Sequence, residues 1–184
     1  MATLSTTAWV LHDLGLATGF GGSLFGKMAL HPAAGAASSK EERGRIVNAA
    51  WRTYAPVNLL GHVAFALTWA IGRKMLSGRS LGRTARALVL AKDALVVGSV
   101  ATGVASQLLG KSLEMEGPGG GVPLEAGAQP SSEASARATA KVRLVGAMGT
   151  ANLVMNAGLI AVTAMLSMKS SRSGVFSVIQ RFLP

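Results

Sequence analysis

Apolar residues run along this chain in four long stretches separated by short polar and basic segments. No Asp, Glu, Lys or Arg falls between Thr53 and Gly72, between Ala94 and Gly110, or between Leu144 and Met168. Each interval is close to the roughly 17–25 residues that a membrane-crossing helix needs. An earlier apolar segment, over about residues 7–30, carries His12, Asp13 and Lys27. The pattern predicts an all-α fold, a four-transmembrane-helix bundle with a flexible loop between helices 3 and 4. It forms a single integral membrane domain over 1–184, with spans at about 7–30, 53–73, 84–109 and 142–168.

Within the first segment, Gly15, Gly19, Gly22 and Gly26 recur at helical spacing, and His12 and Ala29 extend the same stripe. A glycine inside a helix costs roughly 1 kcal/mol against alanine in water. In a bilayer, small residues let helix backbones approach closely. The stripe is therefore expected to be a packing face. It would meet the second or fourth helix of the same chain, or another copy.

Between the spans, Ser38 and Ser39 stand three residues before Glu41 and Glu42, which is capping-box spacing. The second helix is expected to begin near Ser39, well before the membrane, and to kink at Pro56, which lacks a backbone donor. Residues 111–137 contain Gly117–Gly121, Pro123 and Pro130 and a Ser/Ala/Glu run. That composition predicts a flexible linker that buries no core. An ordered partner-binding loop is the other reading. After Lys169, residues Val175, Val178, Ile179 and Phe182 share one helical face and would form a short interfacial helix or a frayed end.

Composition agrees with a membrane protein. Charged residues make up 14% of the chain, against about 25% in soluble domains, and mean hydropathy is +0.41. The net charge of +10 raises the question of nucleic acid, but the basic residues cluster at the ends of apolar runs, where they meet lipid headgroups. No nucleic-acid partner is expected; the lipid bilayer is, with a membrane protein partner or a homo-oligomer as a further possibility. Basic residues are equally numerous on the two sides. Arg73, Lys74, Arg79, Arg83 and Arg86 crowd one short loop, however, and short loops near helix ends weigh most. This places both termini in the cytoplasm and the protein in the cytoplasmic membrane. Residues 1–11 carry no basic residue, and His12 and Asp13 interrupt the apolar run, so the first helix is expected to be retained rather than cleaved as a signal.

Polar residues within spans are expensive and so are candidates for function. His12, Asp13, Asn58, His62, Asp93, Asn152 and Asn156 form a candidate intramembrane polar cluster, with Ser99, Thr102 and Ser106 on one stripe. The plainer reading makes the asparagines interhelical glue and lets Lys27, Lys92 and Asp93 reach headgroups or pair locally. Two histidines on different helices are the residue type for haem or a metal. Their depths are expected to differ by roughly half a bilayer, so no cofactor and no metal site is expected. There are no cysteines. The P-loop, zinc-protease and serine-hydrolase motifs are missing, and no catalytic residue is assigned.

The stretch from His12 to Gly26 is similar to uncharacterised small four-helix integral membrane proteins of high-GC bacteria. Those continue with an Ala-rich turn (here Pro32–Ala37), an Arg-containing helix with a Trp (Arg43–Trp51) and a Pro-Val-Asn segment (Pro56–Asn58). The resemblance spans residues 8–62 and implies an integral membrane location and a bacterial origin, but no activity. The expected role is a non-enzymatic scaffold, accessory or partner-binding protein. A small transporter or ion-conducting oligomer is the second reading, and a haem- or metal-binding redox protein the third.

Overall fold

The computed structural model describes residues 2–76, 82–126 and 128–170. The interfacial tail helix expected after Lys169 lies outside the described residues, as does Arg79 of the basic loop. The chain is mostly helical: α1 spans Ala2–Phe25, α2 His31–Ala34, α3 Lys40–Leu76, α4 Arg83–Leu113 and α5 Ala136–Ser170. A π-helical stretch, Gly26–Leu30, joins α1 to α2. Pro32 has no amide hydrogen for the Met28 carbonyl, and the helix loosens to π geometry just before it.

The start of α3 carries the cap its sequence promises. The Ser39 hydroxyl accepts the Glu42 amide hydrogen at 3.1 Å, and the Ser38 hydroxyl donates to the Glu42 carboxylate at 2.8 Å. The helix then runs as one element through Pro56.

α1 packs most extensively on α3, and α4 on α5; contacts of α1 with α5 and of α3 with α4 close a four-helix ring. The bundle buries polar side chains as well as an apolar core, and it turns large apolar side chains outward. His12, His62, Lys92, Ser99, Asn152 and Asn156 are buried, whereas Leu60, Val97, Leu108 and Val154 are exposed. In water this arrangement would forfeit the hydrophobic driving force; in lipid it satisfies polar groups internally and leaves apolar side chains to the acyl chains. Among the described residues, α3, α4 and α5 are long and apolar enough to cross a membrane. α1 falls short of the same measure because threonines, His12, Asp13 and glycines dilute its leucines.

The connection from α4 to α5 departs from the expected flexible linker. It folds into a cap: a 3-10 turn at Pro118–Gly120, then a two-stranded antiparallel ribbon, β1 (Leu124–Ala126) and β2 (Gln129–Pro130), with Leu124 opposite Pro130. Val122 and Leu124 are buried against Ala138 and Val142 of α5. Gly119 and Gly120 adopt left-handed φ of 62° and 78°, which glycine reaches without steric cost. Composition alone reads such glycines as slack; here they make the turn that returns two apolar side chains to the bundle. Gly44 of α3 admits the cap, since a Cβ there would stand 2.0 Å from the Val122 carbonyl oxygen.

Candidate functional site

The bundle interior is built in layers, each taking about one residue from every long helix at three- or four-residue steps. The middle layer is apolar: Leu16, Phe65, Val96 and Leu159 form one core cluster. A polar layer lies on each side of it.

On the cap side of that core, His62 of α3 meets Ser99 of α4 and Asn152 and Asn156 of α5. The His62 Nδ1 is 2.8 Å from the Asn58 carbonyl. A carbonyl only accepts, so in the neutral ring Nδ1 carries the hydrogen and Nε2 offers its lone pair to the interior. The Asn152 amide nitrogen reaches that Nε2 at 3.4 Å and donates to the Ser99 carbonyl at 2.7 Å. The Ser99 hydroxyl donates to Asn156 Oδ1 at 2.9 Å, and the Asn156 amide donates to Asn152 Oδ1 at 2.8 Å. Every donor finds an acceptor within the layer, as a dry interior requires.

On the other side, His12 of α1 repeats the arrangement. Its Nδ1 faces the Phe65 carbonyl at 3.2 Å and the Thr68 hydroxyl at 3.0 Å. Its Nε2 receives a hydrogen bond from Lys92 Nζ at 3.0 Å. The same ammonium lies 4.3 Å from the Trp69 ring centroid, a cation–π distance. Trp69 in turn donates from its indole nitrogen to Asp93 at 2.8 Å, and Asp93 pairs with Arg73 at 3.1 Å. Both histidines thus hang from α3 carbonyls and point their lone pairs inward, one at an amide and the other at an ammonium.

The predicted polar cluster is therefore divided. His62, Asn152 and Asn156 come together. His12 lies beyond the apolar layer, Asp93 is at the periphery with Arg73, and Asp13 is exposed. Asn58 contributes its carbonyl to His62, while its side chain turns to a cavity described below. The two imidazoles do not face a common ligand, and no group of three or more His, Asp or Glu suited to a metal occurs among the described residues. Lys92, expected to reach outward to headgroups, points inward. The signal was in its spacing: Val89, Lys92, Val96, Ser99 and Gly103 share one buried stripe of α4.

The glycine stripe faces helices of the same chain. A Cβ on Gly15 would come within 2.5 Å of the Gly61 carbonyl oxygen. On Gly22 and Gly26 it would strike the Tyr54 and Trp51 rings at 2.2 and 2.3 Å, and on Gly19 it would meet the Asn156 amide at 3.2 Å. Trp51 and Tyr54 thus sit in notches on α1, and the Tyr54 hydroxyl donates to the Thr18 carbonyl at 2.8 Å.

Beneath the cap, the bundle opens into a cavity of about 560 Å³ between α1, α3, α4 and α5. Trp51, Tyr54, Val122 and Val145 are among its apolar walls, and Asn58, Ser106 and Asn152 stand at its deep end. Neither His12, His62 nor Lys92 lines it. The cap is held over it by ion pairs: Lys40 with Glu125 and Glu133, each at 2.8 Å, and Arg137 and Lys141 with Glu116. The Lys141 hydrogen bond holds the Glu116 carboxyl below the usual carboxylate value, and that from Lys40 does the same for Glu125.

The chain matches no protein-family model, and no curated protein or solved structure matches it.

Proposed function

We propose that the chain is a four-span integral protein of the cytoplasmic membrane, with both termini in the cytoplasm, acting as a non-enzymatic accessory or ligand-binding protein. The observation that carries this reading is the one-sided interior. Leu16, Phe65, Val96 and Leu159, none more than 8% exposed, fill a layer contributed by all four long helices. They separate the cavity and the His62 layer from the His12–Lys92 layer. A bundle with an open chamber on one side and a sealed core on the other is suited to holding something, not to passing it through. α1 counts as the fourth span because it packs against α3 and α5 and turns Val10, Leu11, Leu14 and Phe25 outward.

Reconstitution into vesicles loaded with a pH-sensitive dye tests the reading: proton leak should equal that of empty vesicles. The second reading, a small transporter or ion-conducting oligomer, draws on the buried Lys92–His12 pair, since ionisable groups at membrane depth commonly mark ion paths. A leak above background that disappears in Lys92→Met would favour it. The orientation is checked by Gly78→Cys, in a chain with no native cysteine; a membrane-impermeant reagent should leave that thiol unlabelled in intact cells.

A further inference from the structure

We propose that the cavity under the cap binds a single-chain anionic amphiphile carrying a mid-chain hydrogen-bonding group such as a hydroxyl. The inference deepens the ligand-binding role above and rests on it.

Charge identifies the head group. Lys27, Arg52 and Lys111 line the cavity, and among the described residues no carboxylate does. All three stand where the charge-free segments of their helices begin or end, at headgroup level, and all are exposed. An anion there gains three attractions, and a cation meets three repulsions.

The walls identify the body. They are largely aliphatic and aromatic, and the volume of about 560 Å³ is within the roughly 300–1,000 Å³ of ligand pockets. Three glycines, Gly110, Gly146 and Gly149, line the cavity, and a Cβ on any of them would meet nothing within 4 Å. Their lack of a side chain serves no helix contact. It preserves empty space.

The deep end identifies the mid-chain group. The only buried side-chain atoms without a hydrogen-bond partner among the described residues are Asn58 Oδ1 and Ser106 Oγ, and both residues line this cavity. Leaving a buried polar group unpaired is costly, and each such group calls for an explanation. A ligand hydroxyl donates to the asparagine oxygen and accepts from the serine. At about 1.5 Å per residue, Asn58 lies about 9 Å down α3 from Arg52. Ser106 lies about 7.5 Å along α4 from Lys111 by the same measure. The two distances agree, and they set how far below the head group the hydroxyl belongs. Pro56 adds to the polar end, because it lacks the amide hydrogen a helix would give the Arg52 carbonyl, and both residues line the cavity.

The test uses the full chain in detergent and native mass spectrometry to count retained probe. The probes are stearate, mid-chain hydroxystearate, octadecanol and octadecylamine. Stearate should be retained about tenfold or more above octadecylamine, as opposed rim charges would give. Hydroxystearate should exceed stearate, and Asn58→Leu should abolish that preference while leaving stearate bound. Gly149→Leu places a side chain in the cavity from a position where a Cβ meets nothing within 4 Å, and should remove retention of both acids; Gly21→Leu, with a Cβ equally unobstructed but away from the cavity, should not. Thermal unfolding confirms that both leucine variants remain folded. Equal retention of octadecylamine, undiminished retention in Gly149→Leu, or no preference for the hydroxyl overturns the proposal. Failure here with leak-free vesicles sinks the ligand assignment alone, whereas a specific proton leak sinks the accessory reading itself.

Discussion

Gly15 of α1 and Gly149 of α5 belong to the same bundle and put glycine to two different uses. At Gly15 a side chain would strike a backbone carbonyl of α3; at Gly149 it would enter empty space. In the half away from the cap, polar groups are sealed in pairs beneath an apolar layer, as His12 is with Lys92. In the capped half, glycine has both uses: Gly22 and Gly26 close contacts with Tyr54 and Trp51, Gly110, Gly146 and Gly149 keep a chamber open, and two polar atoms stay unpaired. A glycine count treats the two alike. What separates them is the atom each one faces.

The largest effect should come from closing that difference by mutation. In Gly15→Leu the obstacle is backbone, which cannot rotate away, so α1 and α3 must part. Overpacking of this kind typically costs 1–3 kcal/mol, and about 3 kcal/mol is expected here, read as a lower unfolding temperature in detergent. Ala17→Leu, on the exposed face of α1, should change little. Because the contact is within one chain, oligomeric state should be the same in both. If Gly15→Leu unfolds like Ala17→Leu, the α1–α3 contact is not closed by its glycines.

The next effect separates the two histidines. His12→Ala takes from the buried Lys92 ammonium its hydrogen-bond acceptor, leaving the Trp69 ring and the Asp13 charge, and losing a hydrogen bond to a charged group costs about 1.5–3 kcal/mol. Lys92→Met removes the charge as well, keeps the volume, and should cost about 1 kcal/mol or less. That ordering, with the smaller loss from the charged residue, is the signature of an ammonium whose partner matters more than its presence. Asn156→Leu on the capped side breaks two amide hydrogen bonds but no charge contact, and about 1 kcal/mol is expected, as for interhelical bonds in other membrane bundles. Unfolding temperatures of the three variants in one detergent rank them directly.

The contrast between halves was partly legible in the sequence. Apolar runs located the long helices, and Ser38, Ser39, Glu41 and Glu42 located the start of α3, because hydropathy and capping are local properties. The helices extend beyond the apolar runs at both ends, since a charge-free window sees only the part that lipid touches. Which residues meet across the bundle was not local. The difference in depth between His12 and His62 follows from antiparallel helices, but which residues join each of them does not. A charge near a helix end can reach outward or pair locally, and for Lys92 the register with Val89, Val96 and Ser99 decides, because that stripe faces inward. The cap was misread from composition: a run of glycines and prolines describes slack only until one asks what Val122 and Leu124, two residues apart, would bury.

The smallest expected effect is in the cap, where pH should distinguish the halves. Glu116 is clamped by Lys141 and Arg137, and Glu125 by Lys40. Both carboxyls are held below their ordinary value of 4.5 by these bonds. A carboxyl whose folded value is depressed contributes its stability in full above the unfolded value and loses it as pH falls through the folded one. The clamp is therefore whole at neutral pH and released in acid, below the ordinary carboxylate value. These pairs tie the cap to the bundle and do not form its core, so the bundle should survive their loss while the cap loosens. A nitroxide at Gln129→Cys, on an exposed cap position, should report sharper, more mobile lines in acid. One at Ala17→Cys on the bundle should not change. Glu116→Gln should move the Gln129 label part of the way at neutral pH, because it removes one clamp and leaves Lys40 with Glu125 intact. Equal line shapes at both pH values would mean that Val122 and Leu124 hold the cap by burial alone.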